Sequence, residues 1–121
     1  MAKTVFNSTE DVPLRIFAGV KNSWTLEFTE DDGETPKDMS GYSFYSQVRD
    51  RPGGDLLADL VFDKSSLTNG VLAISLSKTA SEDVGADSGE YDILQEEDAD
   101  TTNVVRLFGG DVEIRKIVTV I

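Results

Sequence analysis

The residues best suited to chemistry in this chain are carboxylates, which are concentrated in two acidic segments, residues 30–34 and 96–100. Ca²⁺ needs several converging oxygen ligands, and two acidic loops at one end of a domain would supply them through Asp31, Asp32, Glu97 and Asp98. Neither segment has the Asp-x-Asp-x-Asp-Gly spacing of an EF-hand, and acidic turns on an acidic protein are most often solvated. The sequence therefore predicts no metal site, with these four residues as the weak candidate ligands.

Groups for nucleophilic and acid–base catalysis are scarce. The chain contains no His and no Cys, which excludes an imidazole base, a thiolate nucleophile and a Cys/His zinc site. No serine lies in a Gly-x-Ser-x-Gly elbow, and neither Gly53-Gly54 nor Gly109-Gly110 is followed by the Lys-Ser/Thr of a phosphate-binding loop. With 23 Asp and Glu residues, some pair of carboxylates can always be chosen to resemble that of a glycosidase, so such a pair does not indicate glycosidase activity. We expect a protein that is not an enzyme and that has no cofactor.

The charge balance excludes other classes of partner. The 121 residues include 11 Lys and Arg against 23 Asp and Glu, for a formal net charge of -12. Nucleic-acid binding and anionic membrane surfaces both require clustered basic residues, so neither is expected. The first residues have no apolar signal-peptide core, and the longest apolar stretch, Ile117–Ile121, is far below the roughly 20 residues that span a bilayer.

Period-2 alternation of apolar and polar residues dominates the chain, and β-branched and aromatic residues supply it. Turn signals such as Asp32-Gly33 and Asn69-Gly70 recur about every dozen residues, the spacing typical of an antiparallel sandwich. The one short helical turn is expected at residues 77–84, with Ser77 or Thr79 as its N-cap. Residues 1–121 are therefore predicted to form a single β-sandwich domain of about seven strands.

The core of that sandwich is predicted from the side chains that share the inward face of each strand. The predicted core residues are Trp24, Leu26, Phe28, Phe44, Val48, Leu72, Ile74, Leu76, Tyr91, Ile93, Val112 and Ile114. Val118 is a further candidate for an inward position in the last strand. We also expect the Tyr91 hydroxyl to bond a nearby backbone group, as in a tyrosine corner.

Both ends of the chain suggest contacts with a partner. Residues 1–11 form an N-terminal arm without a clear period, which would fray in an isolated domain. The segment 117–121 is apolar and β-prone, so a lone monomer would have to cover it. Strand exchange with a neighbouring subunit would satisfy both ends, with assembly residues Ile117, Val118, Val120 and Ile121. A homo-oligomer is the expected state.

The order of several motifs resembles a family of small phage and prophage virion structural proteins. The motifs are Trp24–Phe28, Asp31–Gly33, Pro36–Phe44, Gln47–Arg49, Ala58–Phe62, Gly70–Leu76, Gly89–Ile93, Val105–Ile114 and Val118-Thr119, which together cover about residues 14–120. The chain is similar to the immunoglobulin-like N-terminal module of baseplate upper proteins. That resemblance implies an immunoglobulin-like sandwich and no catalytic or binding residue, because the motifs are turns and core positions. We expect no counterpart of that family's long C-terminal stalk in this chain, which leaves a capsid decoration role open.

The expected function is therefore that of a non-enzymatic virion structural protein, made in the host cytoplasm and incorporated into the particle. It would mediate contacts with other virion proteins at the tail, the baseplate or the fibre attachment. One alternative is a capsid decoration protein that clamps neighbouring capsid subunits. Another, from a different class, is a Ca²⁺-dependent carbohydrate-binding module that uses the two acidic segments.

Overall fold

The computed structural model describes residues 11–119, which contain eight strands, one short α-helix and one 3₁₀ turn. The α-helix is α1 (Lys78–Glu82) and the 3₁₀ turn covers Leu67–Asn69. The strands are β1 (Leu14–Ala18), β2 (Asn22–Glu27), β3 (Tyr42–Arg49), β4 (Leu56–Asp59), β5 (Val61–Asp63), β6 (Val71–Leu76), β7 (Ser88–Glu97) and β8 (Asp100–Lys116).

The strands form two sheets whose orders are β1-β8-β7-β3-β4 and β2-β6-β5. Neighbouring strands are antiparallel except β1 and β8, which are parallel from Leu14 opposite Val112 to Ala18 opposite Lys116. In immunoglobulin nomenclature the smaller sheet is B-E-D, and β8-β7-β3-β4 is G-F-C-C′. The prediction of an immunoglobulin-like antiparallel sandwich is confirmed.

The predicted helical turn is present as α1. Ser77 lies in extended conformation just before the helix, and its hydroxyl accepts a hydrogen bond from the Ala80 amide at 3.1 Å. This cap satisfies one of the amides that the first helical turn leaves without a partner. A helix of five residues is unstable in isolation, so packing must stabilise it. Ser81 provides one such contact, because its buried hydroxyl accepts a hydrogen bond from the Gly19 amide at 3.0 Å.

The mostly apolar run 56–62 predicts a single strand from its sequence, and this prediction is wrong. The run divides into β4 and β5, which belong to different sheets. Leu60 lies at the crossing, where its side chain is buried and its amide donates to the Ser46 carbonyl at 3.1 Å. The last arm, which the sequence predicts to run from Val104 across Gly109-Gly110 toward Val118, is the 17-residue β8; it begins four residues earlier, at Asp100, and ends at Lys116. Its register shifts against β7 do not end the strand.

The interior lies between the two sheets. Ten predicted core side chains are 0–6% exposed: Leu26, Phe28, Phe44, Val48, Leu72, Ile74, Leu76, Tyr91, Ile93 and Val112. Trp24 and Ile114 only pack against the margin of this cluster and are partly exposed. Trp24 belongs to β2, which forms the edge of the smaller sheet, so one side of the indole has no neighbouring strand among the described residues.

Candidate functional site

The first acidic segment stabilises its own turn. The Asp32 carboxylate accepts hydrogen bonds from the Glu34 amide at 2.9 Å, from the Thr35 amide at 2.8 Å and from the Thr35 hydroxyl. A carboxylate that accepts amides two and three residues ahead forms an Asx-type turn. Asp32 therefore has a structural role that explains its position, while the neighbouring Asp31 side chain is exposed.

The second acidic segment is also used within the chain. Asp98 accepts a hydrogen bond from the Ser43 hydroxyl at 2.7 Å, and its amide donates to the Gly41 carbonyl at 2.9 Å. Glu97 accepts from the Asn103 side-chain amide at 2.9 Å. Within residues 11–119, no group of three or more acidic side chains converges as a metal site would require. The structure therefore does not bring the four candidate ligands together into a site.

Tyr91 is a buried core residue whose hydroxyl makes a hydrogen bond to a distant part of the chain. It donates to the Val12 carbonyl at 2.7 Å, across 79 positions of sequence, and so fastens the segment that precedes β1 to β7. The predicted bond from the hydroxyl to a backbone group is therefore present, but the acceptor is distant in sequence, whereas a tyrosine corner uses backbone a few residues upstream. Gly110 permits this approach, because a Cβ there would lie 2.9 Å from the Val12 carbonyl oxygen.

Replacing Tyr91 with Phe should remove this fastening while leaving the ring packed against Phe108 in its edge-on contact. We expect the free energy of unfolding to fall by about 1 kcal/mol, because the Val12 carbonyl loses its donor. Equilibrium urea denaturation at neutral pH measures this change. An unchanged unfolding free energy would show that water replaces the hydroxyl at no cost.

In the same variant, the free energy of unfolding should depend less on pH under alkaline conditions. Burial raises the pKa of Tyr91 to about 12, and the nearby Arg106 cation opposes part of that shift. Between pH 10 and about 12 the unfolded chain releases the tyrosyl proton while the folded chain keeps it, so stability falls as the pH rises. Denaturation across this window should show a smaller decline for Tyr91→Phe than for the natural chain.

The outer face of the larger sheet carries an open groove of about 700 Å³. Its lining is mostly charged and comes from β3, β7, β8, the β3–β4 turn and the residues that precede β1. The Arg49 guanidinium donates to the Gly54 carbonyl at 2.7 Å and to Gln47 at 2.8 Å, and Arg106 lies 3.7 Å from the Asp92 carboxylate. The groove therefore presents a polar, charged surface.

Sequence reasoning did not identify this groove. Its side chains are the outward-facing partners of the residues that were assigned to the core, for example Gln47 beside Val48 and Asp92 beside Ile93. The period-2 pattern therefore indicates which side chains face outward. Only the pairing of Gln47 with Asp92 and of Arg49 with Glu90 places these polar side chains next to one another.

The apolar C-terminal segment is only partly within the described residues. Ile117 is 38% exposed, and a Cβ at Gly19 would lie 3.2 Å from its Cδ1. Val118 is 97% exposed, so its expected inward position was wrong: β8 ends at Lys116, after which the alternation no longer applies. The other two assembly candidates, Val120 and Ile121, lie outside the described residues, as does most of the N-terminal arm.

Exposed apolar side chains are concentrated at the edges and ends of the sheets. Among the large hydrophobic residues within 11–119 that are at least 38% exposed, only Tyr45 lies within an interior strand away from an open edge. The others are Phe17, Val20, Leu56, Val61, Val104, Val105, Ile117 and Val118. Val104 and Val105 belong to the part of β8 that precedes its pairing with β1. Edge strands are the elements of a sheet that can pair with another chain.

None of the helices within residues 11–119 is long and apolar enough to cross a membrane.

Comparisons with known proteins agree on the fold. No protein-family model matches the chain, and no curated protein matches it significantly. A chain in the crystal structure of ICOS with ICOS-L and an anti-ICOS-L VNAR domain is 10% identical, with a TM-score of 0.52; the match covers 89% of this chain and 55% of that one.

Two further solved structures are more distant in shape. The N-terminal domain of phage TP901-1 ORF48 is 16% identical, with a TM-score of 0.48 and coverage of 92% of this chain and 94% of that chain. The ZIG-8–RIG-5 IG1–IG1 heterodimer contains a domain that is 11% identical, with a TM-score of 0.44 and coverage of 88% and 83%. At such identities structural likeness bears on the fold alone. The chain adopts an immunoglobulin-like sandwich.

Proposed function

We propose that this chain is a non-enzymatic phage or prophage virion protein that mediates protein–protein assembly at the tail, baseplate or fibre attachment. The observation that carries the proposal is the placement of its exposed apolar side chains at sheet edges and strand ends. Apolar side chains on open edges favour association with another protein, whereas a small-molecule site is usually a concave, mostly apolar pocket.

The charges of the chain support the same role. A net charge of -12 disfavours adhesion to the nucleic acid that accompanies particle assembly. The groove on the larger sheet is broad, charged and open, and its arginines already contact Gly54, Gln47 and Asp92. Such a surface suits the polar rim of a protein interface better than a catalytic cleft. The sequence motifs that resemble small virion proteins point to a particle as the setting.

Quantitative mass spectrometry of gradient-purified particles, produced by the genome that encodes the chain, tests this proposal. We expect the chain to co-purify with the particles at a constant ratio to the major capsid protein. A phage protein that is abundant in the lysate but is not part of the particle serves as the control and should be lost. Particles that lack the chain would contradict the proposal, and a ratio near one per capsid subunit would favour the capsid decoration alternative over the tail.

A further inference from the structure

One edge of the smaller sheet is long, regular and open. β2 pairs with β6 without a register shift, from Asn22 opposite Leu76 to Glu27 opposite Val71. No other strand within residues 11–119 pairs with the opposite edge of β2. Pro, an inward charge and a bulge are among the devices that protect edges in natural proteins, and Asn22–Glu27 has none of these three.

The side chains along this edge suit a protein contact. Trp24, the sole Trp of the chain, lies at the middle of the edge and is only partly buried. Val20, which is 38% exposed, lies in the turn that leads into β2, and Phe17, which is 40% exposed, lies in β1, the edge strand of the larger sheet that precedes this turn. Asn22 holds this turn: its side chain accepts the Phe17 amide at 2.9 Å and donates to the Phe17 and Val20 carbonyls. Tryptophan is among the residues most enriched in protein interfaces.

The charges along the edge are self-complementary. If two copies of β2 pair antiparallel about a two-fold axis at Trp24, Lys21 of each copy lies directly opposite Glu27 of the other. Ser23 then lies opposite Thr25, a cross-strand combination that can form hydrogen bonds. Lys21 is exposed and Glu27 is half-buried, and neither makes an ion pair within residues 11–119. The arrangement gives two opposite-charge pairs per interface, which holds only for antiparallel pairing centred on Trp24.

We propose that the β2 edge binds the β2 edge of a second copy of this chain, joining the two smaller sheets into one six-stranded sheet. The contact is isologous, because each copy contributes the same segment, and it closes as a dimer without leaving a second open β2 edge. This inference rests on the proposed assembly role and names one of its partners. Its test uses the purified chain alone, so its failure is distinct from absence of the protein from particles.

The test is charge reversal followed by mixing. Lys21→Glu and Glu27→Lys each place like charges opposite one another twice, so each variant should dimerise at least about tenfold more weakly than the natural chain. An equimolar mixture of the two variants restores both opposite-charge pairs and should recover the dimer. Light scattering coupled to size exclusion measures the mass, and Trp24 emission should shift to longer wavelength as dimers dissociate on dilution.

Two matched controls separate this interface from general charge effects. Lys64→Glu and Asp55→Lys make the same charge changes at exposed positions away from β2 and outside the groove, and neither should alter the mass. Circular dichroism of each variant verifies the fold. A natural chain that stays monomeric at high concentration would overturn the inference, as would a dimer that both β2 variants leave intact. A dimer weakened by either variant but not recovered by mixing would also overturn it.

Discussion

Leu72→Ala should lower the free energy of unfolding by about 2–5 kcal/mol. Leu72 is 0% exposed and lies on β6, the central strand of the smaller sheet, opposite Leu26 of β2. Truncation removes buried methyl groups and leaves a cavity between strands that hydrogen bonds hold in place on both sides. A loss of this size is a large fraction of the total stability of a small domain. Urea denaturation measures it.

Leu56→Ala is the matched control, because it makes the same chemical change at a side chain that is 47% exposed on the edge strand β4. Its cost should be at most about 1 kcal/mol, since surface changes are usually small. Similar losses for the two variants would contradict the assignment of Leu72 to the centre of the core. The dependence on urea should stay the same in both variants, which verifies that the unfolded surface is comparable.

Gly70→Ala should destabilise the chain by about 2–5 kcal/mol, for two additive reasons. Gly70 has a φ of 72°, a left-handed conformation that costs an L-residue about 1–2 kcal/mol. A Cβ there would also lie 2.5 Å from the Phe28 carbonyl oxygen and 2.8 Å from the Lys37 carbonyl oxygen. Both are backbone atoms, and the Phe28 carbonyl is fixed by a hydrogen bond from the Lys37 amide at 3.0 Å. Moving them away from the new methyl group would therefore cost free energy.

Gly33→Ala isolates the conformational part of this effect. Gly33 has a φ of 73°, almost the same as Gly70, but a Cβ there meets nothing within 4 Å. We therefore expect a cost of about 1–2 kcal/mol for Gly33→Ala, and the excess for Gly70→Ala measures the contact with the two carbonyls. Equal melting temperatures for the two alanine variants would show that the β2–β3 connection yields to the new methyl group.

The fold could be predicted well wherever one local rule acted alone. Alternation placed Leu26, Leu72 and Ile93 inward because a strand points successive side chains to opposite faces, and one face must be buried. Prediction failed where one apolar run passes from one sheet to the other, as at Leu60. Alternation within a run does not reveal that the chain changes sheet. The burial of Met39 in a loop carried no periodic signal.

The candidate site could be predicted less well than the fold. The acidic segments were evident in sequence, but composition does not determine whether carboxylates converge or stabilise their own turns, as Asp32 does. The opposite charges of Lys21 and Glu27 are equally visible in sequence. Whether these charges can face a second chain depends on β2 being an edge strand, and that follows from the pairing of strands that are not adjacent in sequence.

The amino-acid sequence by itself determined the class of this protein: an acidic β-sandwich without His or Cys. Those properties follow from composition and from the two-residue period of a strand, which are local. Only the tertiary structure decided which strands are edges, that Tyr91 reaches Val12, and that Trp24 is partly exposed. These features arise from contacts between residues far apart in the chain, and such contacts leave no local pattern from which they can be inferred.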